Sequence, residues 1–285
     1  MSRVLITGAS GFIGRNLAEA MALNHEVVAM SRRPTDVNGV ASVCGDFASP
    51  DGLRLLDRYG ADVVIHLAAV TGGCAESDGI RVNVLGTHGL IRYWMDRGCR
   101  KFVLASSIAA VGMQNVRFRP LQVPVPDEHP CFDRDGYGLS KYLMEEVARY
   151  LVRQNDDLDI IALRFASILP EDAVPVPRKP GPVYPWALGS VTLMYVSDAV
   201  RCLTLAADAA HKPGIRIMNA VGTEACVEPS VPDVLRAWWG ADADALDLSW
   251  YERAGHERDA VYDARRVAAE LGFVPARRVL LNGSE

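Results

Sequence analysis

Tyr137 and Lys141 stand four residues apart in Tyr137-Gly138-Leu139-Ser140-Lys141, which on a helix puts both side chains on one face. An ammonium beside a phenol favours the phenolate and lowers its pKa, and a tyrosine so tuned can pass a proton to or from a substrate oxygen. An exposed pair on a helix surface is the plain alternative. Ser106-Ser107 closes a predicted strand, where a hydroxyl can reach a substrate oxygen or simply end the strand in a turn. A third constellation lies at the N-terminus. The apolar run Val4-Leu5-Ile6 leads into Thr7-Gly8-Ala9-Ser10-Gly11-Phe12-Ile13-Gly14 and then into a helical pattern. Three glycines between a strand and a helix allow a tight turn, a close approach of backbone to phosphate and close helix packing. The free N–H groups of the helix then face an anion.

These residues need strand ends and helix starts to hold them. Strands are predicted at 2–7, 25–31, 40–44, 62–66, 101–106, 159–165 and 215–219. Helices are predicted at 12–23, 52–59, 76–97, 137–154, 196–209, 234–239 and 264–271. Alternation of this kind implies an α/β fold, a Rossmann-type doubly wound parallel sheet with helices on both faces. Six prolines between Pro170 and Pro185 break the rhythm, and a second proline-rich loop covers 112–130. The expected organisation is a Rossmann core of residues 1–165 plus 190–220, with a small discontinuous C-terminal substrate lobe of 166–189 plus 221–285. Trp238-Trp239 reads as core of that lobe.

The 285 residues are 49% hydrophobic, enough for a core without disulfides, and the net charge of −5 argues against a nucleic-acid surface. The apolar runs are too short for a membrane span, and the N-terminus runs into a strand without the pattern of a signal peptide. The six cysteines are scattered and the histidines lack ligand spacing, so reduced thiols, a cytoplasmic location and no metal are expected.

Taken in order, the glycine loop, the serines after the fifth long strand and the Tyr-x-x-x-Lys pair resemble the short-chain dehydrogenase/reductase superfamily. The Gly-x-x-Gly-x-x-Gly spacing resembles its extended, epimerase/dehydratase-like branch. His66-Leu67-Ala68-Ala69, Asn83-Val84-Leu85-Gly86-Thr87 and the segment from Tyr262-Asp263 to Leu271-Gly272-Phe273 match that branch as well. The resemblance implies an oxidoreductase with Ser107, Tyr137 and Lys141 as catalytic residues, Lys141 also holding the nicotinamide ribose. It implies cofactor contacts from Gly8, Ser10, Gly11, Phe12, Ile13 and Gly14 at the pyrophosphate, and from Asp46 and Phe47 at the adenine. Leu67, Ala68, Ala69 and Asn83 complete the set. It also implies a homodimer built on helices 76–97 and 137–154, and a small-molecule substrate.

NAD-preferring relatives carry an acid at the end of the second strand, but this chain has Ser31-Arg32-Arg33. Serine and arginine would bind a 2′-phosphate that an acid would repel, so NADP is expected ahead of NAD.

The departures from the family concern the substrate. Ile108 stands where relatives place a serine or threonine. Ser107 is the candidate replacement, in the register of uronate dehydrogenase-like members. Ala109-Ala110 offers no acid–base pair for dehydration. Arg164-Phe165-Ala166-Ser167 lacks the asparagine that helps relatives grip a nucleotide sugar. Thr71, Ser107, Ile108, Arg164 and Ser167 are the candidate substrate residues, Arg164 having a second reading as the partner of a core carboxylate. The leading expectation is hydride transfer to or from a sugar-like carbonyl or alcohol. A nucleotide-sugar 4-epimerase or 4-ketoreductase and a non-catalytic NADP-binding sensor are the alternatives.

Overall fold

The computed structural model describes residues 1–279, so residues 280–285 of the expected lobe lie outside the described residues. The strands are β1 (Arg3–Thr7), β2 (Glu26–Ser31), β3 (Val40–Cys44), β4 (Val63–His66), β5 (Lys101–Ser107), β6 (Asp159–Phe165), β7 (Ser167–Leu169), β8 (Leu193–Tyr195) and β9 (Gly214–Ala220). The helices are α1 (Phe12–Met21), α2 (Pro50–Arg54), α3 (Glu76–Asp78), α4 (Thr87–Met95), α5 (Gly136–Gln154), α6 (Ala187–Val191), α7 (Val196–Asp208), α8 (Val231–Trp239), α9 (Ala241–Asp244) and α10 (Arg265–Leu271). Seven strands form one sheet in the order β3-β2-β1-β4-β5-β6-β9, all neighbours parallel. The order reverses between β1 and β4, so a crevice opens outside their carboxyl ends, where ligands of such sheets bind.

The inner strands read as unbroken apolar runs because both of their faces are covered. One core lies under α1, α7 and α10, and a second lies under α4 and α5 on the opposite face. A third gathers Ile108, Val111 and Met113 with α6, α8 and the segment through Tyr262. Trp238 and Trp239 belong to it, 6% and 5% exposed, so they pack rather than bind.

Two predicted helices change form. The stretch 52–59 is replaced by the shorter α2, which starts earlier because Ser49 caps it, accepting from the Gly52 N–H at 3.0 Å, with Pro50 at the first helical position. The stretch 76–97 divides into α3, a π-helical segment Gly79–Gly86 and α4. Glycines at both ends of the π segment let it press on neighbours: an added Cβ at Gly79 would meet the Gly136 carbonyl at 2.8 Å, and at Gly86 the Ala48 side chain at 2.8 Å. The parallel pair β7–β8, three residues each, was not predicted, being too short to show a strand period.

His66, at the end of β4, locks the switch point. Its ring nitrogens bond Thr7 Oγ1 at 2.6 Å and Thr87 Oγ1 at 2.9 Å, joining β1, β4 and α4. Burial, helped by the Lys141 charge, pushes its pKa down to about 3, so the ring is neutral.

Candidate functional site

Two adjoining crevices open at the carboxyl ends of the strands. The larger, about 720 Å³, runs from the glycine loop past the end of β2 to the segment 67–71. Gly8 has φ 74°, a left-handed conformation, and an added Cβ would meet the Ala68 backbone nitrogen at 2.7 Å. At Gly14 a Cβ would overlap the Gly8 carbonyl, so only glycine lets α1 start this close to the loop. The Ser10 N–H donates to Ser31 Oγ at 2.8 Å, tying the glycine loop to the end of β2. Arg32 and Arg33 line the same end, exposed and without an ion pair among the described residues. Asp46 and Phe47 form the wall beyond them, and Leu67, Ala68, Ala69 and Val70 the floor. A cradle that excludes Cβ atoms, free helix N–H groups and two unengaged guanidiniums fit an extended dinucleotide with phosphate at both positions.

Not every expected contact faces this space. Asn83 is 1% exposed. Its amide accepts from the Val70 N–H and donates to the Val70 carbonyl, both at 2.9 Å, and donates to Ser140 Oγ at 2.8 Å. With its amide spent on protein, Asn83 clamps the crevice floor to α5. Phe12 and Ile13 open α1, so what they can offer the crevice is their backbone N–H groups. Asp78, Arg81 and Val82 line the crevice unforeseen, because they come from the irregular start of the helix predicted as continuous.

The smaller crevice, about 300 Å³, continues from Thr71 and has Ser107 and Tyr137 in its wall. Each is positioned by local structure. Asp135 caps α5, accepting from the N–H groups of Tyr137 at 2.9 Å and Gly138 at 3.0 Å. A Cβ at Gly138 would meet the Ala109 carbonyl at 2.6 Å, so glycine there brings Tyr137 against the turn after β5. Ser107 caps that turn, its Oγ accepting from the Ala109 N–H at 3.1 Å. Burial pushes the Tyr137 phenol up to about 12, with a hydrogen bond from Ser107 acting the other way. Lys141 is buried, and that burial, opposed by the Glu145 charge, brings its ammonium down to about 8.

The lysine does not lower the phenol in this state, contrary to expectation. Its Nζ donates to the Ala105 carbonyl at 2.7 Å and lies 5.8 Å from the Tyr137 ring centre, so desolvation wins. The arrangement presents a protonated phenol, a serine hydroxyl and a cation behind them, which can give a proton to an oxygen seated in the crevice.

Thr71, Ile108 and Ser167, candidates from the sequence, line this crevice together with Gly72, Met113, Gln114, Ala166, Trp186 and Gly189. Met113, Gln114, Trp186 and Gly189 were missed because they sit in or just after the two proline-rich loops, where no periodicity marks an inward side chain. Ser167 Oγ donates to the Gly189 carbonyl at 3.0 Å. Arg164 takes the second of its two sequence readings. It is 3% exposed and forms a bidentate pair with Glu145, at 2.8 and 2.7 Å, while its third nitrogen donates to the Asp127 carbonyl at 2.7 Å. Its guanidinium is engaged in the core, and it is not among the residues lining the smaller crevice.

Among the described residues no cluster of His, Cys, Asp or Glu could hold a metal, and no helix is long and apolar enough to cross a membrane.

Comparison with known proteins places these features in context. The model of the NAD dependent epimerase/dehydratase family matches residues 4–220. L-arabinose 1-dehydrogenase (NAD(P)(+)) of Haloferax volcanii is 30% identical over 182 residues, 61% of this chain and 70% of that protein. The UDP-glucose 4-epimerase GEPI48 of Cyamopsis tetragonoloba is 27% identical over 183 residues, 57% of this chain and 51% of that one. The match to several such epimerases spans about half their length. The structure of a Bifidobacterium longum UDP-glucose 4-epimerase in complex with NAD+ and UDP superposes with a TM-score of 0.72 at 18% identity, covering 98% of this chain and 95% of that one. At that identity the likeness speaks to the fold alone.

Proposed function

The chain belongs to the NAD dependent epimerase/dehydratase family, and from that premise we propose that it is an NADP-dependent oxidoreductase moving a hydride to or from a sugar-like carbonyl or alcohol. The observation that carries this reading is the meeting of Ser107, Tyr137 and Lys141 where the dinucleotide-shaped crevice adjoins the smaller one.

The nicotinamide, when bound, supplies or takes the hydride. In the reducing direction the Tyr137 hydroxyl gives its proton to the carbonyl oxygen as the carbon gains hydrogen. Lys141 steadies the phenolate left behind, and Ser107 orients the oxygen. Oxidation runs the same transfers backwards. Gly8, Gly11 and Gly14 seat the pyrophosphate, and Asp46 and Phe47 flank the adenine.

The end of β2 supports NADP. Ser31 and the two unpaired arginines offer donors to a 2′-phosphate, and no acid stands there to take the ribose hydroxyls of NAD. Arg32→Ala is expected to weaken NADPH binding about 10-fold and leave NADH within about two-fold, since one exposed charge-assisted phosphate contact is lost. Fluorescence titration of both cofactors measures this. Unchanged NADPH affinity, or tighter NADH binding by the unaltered chain, overturns the assignment. A 4-epimerase, which keeps a single cofactor and regenerates it on the same carbon, is less well served by this strand end.

The third core, separate from the two flanking the sheet, supports a division into a cofactor-binding core and a substrate lobe. We also propose a homodimer through the outer faces of α4 and α5, where Tyr150 is 44% exposed. A monomer mass by light scattering would overturn it. The six free thiols fit a reducing, cytoplasmic setting.

A further inference from the structure

The smaller crevice constrains what it can hold. Its polar side chains are Thr71, Ser107, Gln114, Tyr137 and Ser167, and no arginine, lysine, histidine, aspartate or glutamate is among its lining residues. Arg164, a candidate from the sequence, is taken by Glu145 and the Asp127 carbonyl. A carboxylate or phosphate placed here would lose water and gain no counter-charge. The volume of about 300 Å³ equals that of about ten waters, enough for a free sugar but small for a nucleotide sugar.

The walls are also specific. Gln114 and Trp186 approach each other over Gly72, where an added Cβ would lie 3.6 Å from Gln114 Nε2 and 3.8 Å from the Trp186 ring. The Gln114 amide makes no hydrogen bond among the described residues, leaving a donor and an acceptor for hydroxyls. Trp186 is 52% exposed although it is a large ring, and Ile108 adds an apolar patch beside Tyr137.

Resting on the oxidoreductase reading above, we propose that the substrate is a small uncharged polyhydroxylated carbonyl or alcohol of free-sugar size. Gln114 binds its hydroxyls and Trp186 covers its C–H face. Its carbonyl or carbinol carbon faces Tyr137, and no carboxylate, phosphate or nucleotide is recognised. The electron balance is the one already given: two electrons and one proton move as hydride between the substrate carbon and NADP(H), and the second proton moves between the substrate oxygen and Tyr137.

Initial rates of the full chain with NADP+ and NADPH, across matched free sugars, their aldonate or uronate counterparts and UDP-sugars, test this. The uncharged series is expected to exceed the charged series by about 100-fold in kcat/KM, the cost of an unpaired buried charge. Trp186→Ala is expected to raise KM for the uncharged substrate about 10-fold with kcat nearly kept. Gln114→Arg is expected to move the ratio toward the carboxylate series by about 10-fold or more. Equal or better turnover of the carboxylate or UDP series by the unaltered chain overturns the substrate class while leaving the oxidoreductase reading intact. No turnover of any series by a chain that still binds NADPH overturns both.

Discussion

Replacing Tyr137 by phenylalanine is expected to lower kcat about 1,000-fold while NADPH still binds within a few-fold of the unaltered affinity. The phenol is the group within reach of the smaller crevice that holds a transferable proton at neutral pH, because burial keeps its pKa up at about 12. Loss of a positioned general acid costs roughly 100- to 10,000-fold, and the hydroxyl makes no contact on which the fold depends. The pH profile is a second reading of the same site. Lys141 titrates at about 8, so its positive charge is present below that pH and lost above it. Carbonyl reduction leaves a phenolate that this charge stabilises, so kcat/KM for reduction should be flat through neutrality and fall above about pH 8. In Lys141→Met the rate should be low throughout and the limb absent. A Tyr137→Phe enzyme that turns over at more than about a tenth of the original rate would show that another group moves the proton, and a reduction profile level to about pH 9.5 would show that the Lys141 charge does not stabilise the phenolate.

The parts of this site that were legible in the sequence are those fixed by backbone geometry. Gly8 and Gly14 announce themselves because no other residue fits where a left-handed turn or a neighbouring carbonyl stands. Tyr137 and Lys141 announce themselves by helical spacing, and the sheet by its repeated apolar runs. What stayed hidden depends on which way a polar side chain turns. Asn83 and Arg164 stand at positions that fit the motif, yet one turns to the Val70 backbone and the other to Glu145, choices made by partners 13 and 19 residues away in sequence. Gln114 lies in one proline-rich loop and Trp186 directly follows the other, where neither a 2.0 nor a 3.6 period says which side faces inward. The phenol pKa was misjudged for a related reason: the sequence displays the charge of Lys141 but not the burial that outweighs it.

The engagement of Arg164 leads to the second large effect. Glu145→Ala is expected to destabilise the protein by about 3–5 kcal/mol, the usual cost of leaving one partner of a buried ion pair alone. Glu145 and Arg164 are 1% and 3% exposed, and Glu145 Oε1 also accepts from Ser106 Oγ at 2.6 Å. Burial pushes the Arg164 pKa down, but its hydrogen bonds and charge pairing with Glu145 outweigh that and the net shift is up. When the carboxylate goes that support goes with it, but a guanidinium is not deprotonated in proteins and keeps its charge. It remains ionised in β6, with the Asp127 carbonyl as its remaining hydrogen-bond partner, and the Ser106 donor is orphaned beside it. In a chain of this length each kcal/mol moves Tm by roughly 2 °C, so a fall of about 6–10 °C by thermal unfolding is expected. The double change Glu145→Leu with Arg164→Met removes both charges from the core and should recover most of that loss, because the penalty lies in the unpaired ion rather than in the absence of the pair. A single variant that melts within about 2 °C of the unaltered chain would mean that water or a rearranged neighbour satisfies Arg164. The link between β5, β6 and α5 that sets Ser107 beside Tyr137 would then rest on apolar packing alone.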